Sequence, residues 1–346
     1  MSLLQEAAGP VLEHAARPEG DASIFVSLHR WLIPEAFVDQ VPTWFVALGG
    51  IGIGLGLLIG LISVTVMFCV WLERKVSGHI QCRTGPMYAG GWHGWAQSIA
   101  DGVKLLTKED TVPKDADRTM FWIAPAIVLA SIFGALAAMP ISYDWWFGRM
   151  DLGVFAILAL SSTTTIGVVM SGWASNSKYS LLGGLRASAQ MVSYELSLIM
   201  TALAVVALTG AMDLREIVAA QAGSIFNWNV FTPVVGQVGL VLFVIATFAE
   251  TNRHPFDFAE CEPELVGGFH TEYSSMKFAL FFLGEYCAMT VMACLTTVLF
   301  LGGYQVPFWE DAPWFVQLGA FGAKVGFFLF LFIWVRWTLP RFRYDQ

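Results

Sequence analysis

Residues 43–72 read TWFVALGGIGIGLGLLIGLISVTVMFCVWL, and no Asp, Glu, Lys or Arg occurs between Asp39 and Glu73. A helix needs about 20 apolar residues to cross a bilayer, whereas a barrel strand needs only about 9–11. Backbone groups in lipid must be satisfied within a helix or a closed barrel, so a run of this length predicts a spanning helix. Gly52, Gly56 and Gly60 recur at four-residue intervals, a stripe that lets another helix approach closely. The glycines of Gly50-Ile51-Gly52-Ile53-Gly54 lie inside the apolar run, with no strand–helix context for a phosphate loop, and read as packing positions.

Outward from this stretch the pattern repeats. Uncharged runs lie between Arg118 and Asp144, Asp151 and Lys178, Glu195 and Asp213, and Glu216 and Glu250. Two later runs are interrupted by Glu285 and Lys324. The expected fold is all-α and polytopic, with seven transmembrane helices near 43–72, 120–140, 152–174, 188–210, 233–250, 278–302 and 313–337. The 346 residues are 56% hydrophobic and 13% charged, where an average soluble domain is about a quarter charged. This excludes a disordered chain, a disulfide scaffold and an ordinary cytosolic enzyme. A net charge of −8 argues against a nucleic-acid partner.

Residues 1–42 hold no spanning run and form an N-terminal extension, with an interfacial helix expected over 24–37. Glu6, Glu13 and Glu19 do not suit a signal peptide. Residues 43–346 form one membrane-embedded domain with loops at 73–118 and 251–277. Those loops, the connection carrying Lys178 and Arg186, and the C-terminal end place 14 Lys and Arg on one side of the membrane, against 4 on the other. Basic loops stay in the cytoplasm, so the N-terminus is expected outside and the large loops inside. The five cysteines make no CxxC and the six histidines avoid the middle of every apolar run. Reduced thiols, no metal site and no haem in this chain are the expectation.

Two loops are more than connectors. In the first, Trp95, Ile99, Val103 and Leu106 share one helical face, as in a helix lying on a membrane or buried under a partner. In the second, Glu250, Asp257, Glu260, Glu262, Glu264 and Glu272 stand against the single Arg253 and alternate with Phe256, Phe258, Leu265, Phe269 and Tyr273. That interleaving reads as a folded, part-buried segment, and crowded carboxylates of this kind take up and hand on protons. Within the spans, Glu195, Glu285 and Lys324 lie about 14, 12 and 18 Å from the nearest cytoplasmic basic residue along the helix. Such groups are costly in lipid, about 2.5–3.5 kcal/mol each on insertion scales, and default to function. Pairing of Lys324 with one glutamate is the structural alternative.

The same segments resemble the H subunit of bacterial NADH:quinone oxidoreductase (respiratory complex I), the counterpart of mitochondrial subunit 1. The matching stretches are Glu73-Arg74-Lys75 with Gly85-Pro86, Ala100-Asp101 through Lys108-Glu109, GWASNSKYSLLG at 172–183 and RASAQMVSYE at 186–195. Others are ETNRHPFD at 250–257, ELVGGFHTEY at 264–273, GEY at 284–286 and PRFRYDQ at 340–346. The loop departs from the family's Arg-Pro-Gly-Pro-Asn at Thr84 and Met87. The family has eight spans, so the resemblance implies one more helix after Gln346.

The resemblance implies a subunit that forms the access channel for ubiquinone or menaquinone and couples its reduction to proton translocation. Implied quinone-binding residues are Glu73, Arg74, Arg83, Asp101 and Arg253. Implied proton-relay residues are Glu195, Glu250, Asp257, Glu260, Glu262, Glu264, Glu272 and Glu285. Flavin and iron–sulfur clusters are implied in partner subunits of the peripheral arm, with small and antiporter-like membrane subunits alongside, in the cell inner membrane. The alternatives are a homologous subunit of a membrane-bound hydrogenase or formate-hydrogen lyase, and a stand-alone proton-coupled transporter. The latter class shows related halves, and no internal repeat is found here.

Overall fold

The structure, a computed structural model, describes residues 43–143, 147, 150–259, 262–309 and 312–342. The N-terminal extension with its expected interfacial helix, and Glu260, lie outside the described residues, and Glu262 is described by its backbone alone. The described residues are helical throughout, linked by turns and short 3-10 segments. In chain order the helices are α1 (Thr43–Ile80), α2 (Gln97–Thr107), α3 (Arg118–Ala137), α4 (Gly153–Ala174) and α5 (Lys178–Thr209). They continue with α6 (Leu214–Ala220), α7 (Val235–Glu250), α8 (Glu262–Leu265), α9 (Ser275–Phe300) and α10 (Trp314–Thr338).

Six of these, α1, α3, α4, α5, α9 and α10, are long and apolar enough to cross a membrane. The seventh expected span is α7, with 16 residues, or about 24 Å of helix. Two 3-10 turns, Ile225–Asn227 and Asn229–Phe231, precede it. Helix α1 runs on from the apolar segment to Ile80, so Glu73-Arg74-Lys75 sits on a helix rather than in a loop. Helix α5 likewise begins at Lys178, before the expected 188. In both cases the apolar window marks where lipid begins, while the helix follows backbone propensity past it.

Local signals set the ends. Asp117 caps α3 by accepting from Thr119 N and Met120 N at 3.1 and 3.3 Å, and Gly210 ends α5 at φ 73°. Helix α9 is apolar around most of its circumference, as a spanning or a core helix can be; its contacts make it central. It touches α1, α2, α3, α5, α6, α7 and α10, and every residue from Met289 to Phe300 is buried. Around it α3, α4, α5 and α7 pack in chain order. The acidic loop is seated on α5 by close approach: a Cβ on Gly183 would stand 2.6 Å from Gly268 Cα. Ala259 packs with Val168, Ala187 and Met191.

Candidate functional site

The acidic loop leaves α7 at Glu250 and turns straight into the protein. Arg253 is only 2% exposed. Its Nε lies 2.6 Å from Glu285 Oε1 on α9, and its NH1 lies 3.7 Å from Glu73 Oε2 on α1. The guanidinium also stacks 4.3 Å from the Tyr286 ring. Glu73 is held from two further sides: the Tyr286 hydroxyl donates to Oε2 at 2.6 Å, and Arg336 NH1 on α10 reaches Oε1 at 2.7 Å. Two arginines and two glutamates from three helices and one loop thus share one buried cluster. Burial works against the Arg253 charge, but Glu285, Tyr286 and Glu73 outweigh it and hold the guanidinium pKa above its usual range.

A second cluster fixes the next turn of the loop. Asp257, also 2% exposed, accepts from Arg341 NH2 at 2.9 Å and lies 3.3 Å from His254 Nδ1. Burial lowers the His254 pKa, with Asp257 opposing it. Phe342 N donates to Pro255 O at 3.2 Å, so the segment after α10 folds over the loop. Farther along, Glu264 is exposed and pairs with Arg186 of α5 at 2.5 Å. Glu272 is half-buried.

Between α3, α4, α5, α7 and α9, beneath the loop, lies a cavity of about 90 Å³. Glu250, Asn252, His270, Glu285, Ser161 and Thr164 supply its polar lining. Glu250 Oε2 and Asn252 Oδ1 are buried with no protein partner. The rest of the lining is apolar, from Val128, Ile132 and Met191 to Phe269, Phe281 and Phe282, so a buried water would sit at the end where these orphaned polar atoms gather. Burial pushes the His270 imidazole down to about 4, against the pull of Asp257, so the ring is neutral at pH 7. Glu195 on α5 accepts a hydrogen bond from Ser162, the α4 neighbour of the cavity-lining Ser161. Gln190 Nε2 ties α5 to α7 at Ala249 O, 2.6 Å.

The expected quinone residues do not converge on one point. Glu73 and Arg253 share the buried cluster. Arg74 pairs instead with Asp101 of α2 at 2.6 Å, part-exposed, and Arg83 is exposed with Gln81 as its partner at 2.6 Å. Helix α2 is clamped to α9 through Ser275 Oγ and Leu105 O at 3.0 Å, and to α1 through Ser98 Oγ and Met67 O at 2.9 Å. Its apolar face of Ile99, Val103 and Leu106, with Trp95 just before, is exposed. Of the expected relay residues, Glu250 and Glu285 line the cavity, Glu195 stands beside it and Asp257 lies in the cluster above. Lys324 pairs with no glutamate among the described residues; its amine is bound by backbone carbonyls.

Residues 53–346 match the family described as NADH dehydrogenase. The chain belongs to that family. The NADH-quinone oxidoreductase H subunit of Anoxybacillus flavithermus is 46% identical over 313 residues, covering 90% of this chain and 91% of the relative. Its counterpart from Leptospira biflexa is 46% identical over 316 residues, covering 85% and 87%. NADH-quinone oxidoreductase subunit 8 of Rhodothermus marinus is 45% identical over 304 residues, covering 84% and 88%. Arg336, Arg341, Tyr286, His254 and His270 join the expected site residues only through the fold. Tyr286 and the histidines lie in or beside the motifs that carry the resemblance. Arg341 lies in the matching PRFRYDQ stretch, while Arg336 lies outside every such stretch and reads in the sequence only as an orientation charge.

Proposed function

We propose that this chain is the membrane subunit of an NADH:quinone oxidoreductase that borders the quinone-access channel and relays protons coupled to quinone reduction. The cavity carries the reading. It brings Glu250 and Glu285, one from each of two helices, to one cavity that is otherwise largely apolar, with Glu195 at its edge and the acidic loop as its roof. Carboxylates at that depth are costly unless water or a partner meets them. Electrons reach the quinone from flavin and iron–sulfur clusters of partner subunits in the peripheral arm. Antiporter-like subunits of the membrane arm take up the proton signal. The chain lies in the cell inner membrane with its acidic loop in the cytoplasm.

In this reading the quinone, ubiquinone or menaquinone, enters beside α1 and α2. The Arg74–Asp101 pair holds the two helices together there, and the exposed face of α2 meets lipid. Reduction changes charge or protonation near Asp257, Glu260 and Glu262. Arg253 answers both Glu73 and Glu285, so a change on the loop reaches the cavity through one guanidinium. Glu285, Glu250 and Glu195 then respond in turn. Replacing Glu250 with Gln tests this: quinone reductase activity and pumping fall together in assembled complexes, while NADH oxidation by an artificial acceptor at the flavin persists. Undiminished pumping in the variant contradicts a relay through the cavity.

A further inference from the structure

Lys324 lies within spanning helix α10, yet its partners are carbonyls. Nζ lies 2.8 Å from Leu301 O, 2.9 Å from Gly303 O and 2.9 Å from Gln305 O, all in the turn that follows α9. The Trp228 ring centroid stands 4.4 Å away. An ammonium has three N–H donors and no acceptor, so three converging carbonyls satisfy it fully. A neutral amine would turn its lone pair toward one of them. An indole face attracts cations as well, and the C-terminal end of a helix carries the negative pole of its dipole.

The cradle is built from the surrounding sequence. Gly302 and Gly303 take φ of 68° and 51°, and a Cβ on Gly302 would stand 2.8 Å from the Trp228 indole nitrogen. Gln221 accepts from Gly302 N at 3.0 Å and donates to Val298 O at 3.0 Å. Asn229 Nδ2 donates to Leu299 O at 2.7 Å. Neighbouring carbonyls thus have other donors, and those of Leu301, Gly303 and Gln305 are left facing one point.

We propose that the turn after α9 is a cation site for a primary ammonium, filled from within by the Lys324 side chain, and that Lys324 is a positioning residue for the end of α9 rather than a proton carrier. Its three donors are spent on carbonyls, which cannot accept a proton at neutral pH. The inference stands apart from the quinone and relay reading, because it concerns the opposite end of α9 from Glu285.

The test uses the assembled complex and hydrogen–deuterium exchange in the peptide covering 298–305. Lys324→Ala removes the ammonium and three methylenes, the size of n-propylammonium. Exchange in that peptide should rise at least about tenfold, the scale of one charged hydrogen bond. Millimolar n-propylammonium should restore protection, and tetramethylammonium, which has no N–H, should not. Lys324→Met keeps an apolar stem, and should lose protection without being rescued. Wild-type protection in either variant, or equal effects of the two ammonium ions, overturns the proposal. A variant complex that forms only when propylammonium is present during assembly supports it; one that fails with and without the amine overturns it.

Discussion

Arg253 and Glu285 meet at 2.6 Å, one on the acidic loop and the other on a spanning helix. The contact turns a loop that could have been solvated into a buried lid. Two carboxylates of the loop also find cations outside it: Glu264 pairs with Arg186 of α5, and Asp257 with Arg341 after α10.

Removing the Arg253 side chain should be among the most damaging single changes. Arg253→Ala leaves Glu73 and Glu285 buried with fewer partners, and breaking a buried pair costs about 3–5 kcal/mol. The expected outcome is loss of assembly or a sharply lower melting temperature of the detergent-solubilised complex. Arg253→Lys keeps the charge but loses the planar fork that spans two carboxylates and the Tyr286 ring, so its stability should fall between those of wild type and the alanine variant. A melting temperature equal to wild type in the alanine variant would show that the cluster stabilises nothing.

Acid sensitivity should depend on His270. Its imidazole titrates at 6.5 when unperturbed and at about 4 in the folded chain. As pH falls below 6.5, the unfolded chain takes up a proton that the folded chain refuses. The His270 contribution is therefore complete above 6.5 and is lost as pH drops toward 4. His270→Gln should lose less stability than wild type between pH 7 and 5, as melting temperatures at matched ionic strength will record. Parallel curves for the two proteins would contradict the assignment.

The orientation has a native reporter. Among the described cysteines Cys82 is exposed, while Cys69, Cys287 and Cys294 are buried. A membrane-impermeant maleimide should label the chain in inside-out vesicles stripped of the peripheral arm, and not in intact cells. In a chain whose Cys261 is already replaced by Ser, Cys82→Ser should abolish that label. Labelling of Cys82 from outside would reverse the topology.

What the sequence reveals here depends on the range of each interaction. Spanning helices are local: an uncharged run reports its own solvent, so 43–72 and its successors locate the membrane part of each helix. The run cannot report where the helix stops, and α1 and α5 both continue past their apolar windows. Glu195 and Glu285 stand out because a carboxylate in an apolar run is costly wherever it packs. Their neighbours are not legible. Arg336 lies in the last turn of α10, where a cation suits the helix dipole, and nothing local tells of Glu73. Lys324 shows the same limit, since a buried amine asks for any acceptor, and carbonyls of the next turn serve as well as a glutamate.

If the carboxylates around the cavity carry protons, a change at Glu195 isolates that role from the structural ones. Glu195 takes no part in the Arg253 cluster, and its partner Ser162 can bond to an amide as well as to a carboxylate. Glu195→Gln therefore preserves size and hydrogen bonding but removes titration. Proton pumping per electron should be measured in assembled variant complexes reconstituted into vesicles, with NADH oxidation by an artificial acceptor as the control for the flavin site. A relay through the cavity predicts that the control activity persists while quinone-linked turnover and pumping fall at least about tenfold, below the low end of what a catalytic proton-transfer group contributes. Full quinone reductase activity with full pumping in the Glu195→Gln complex would contradict it.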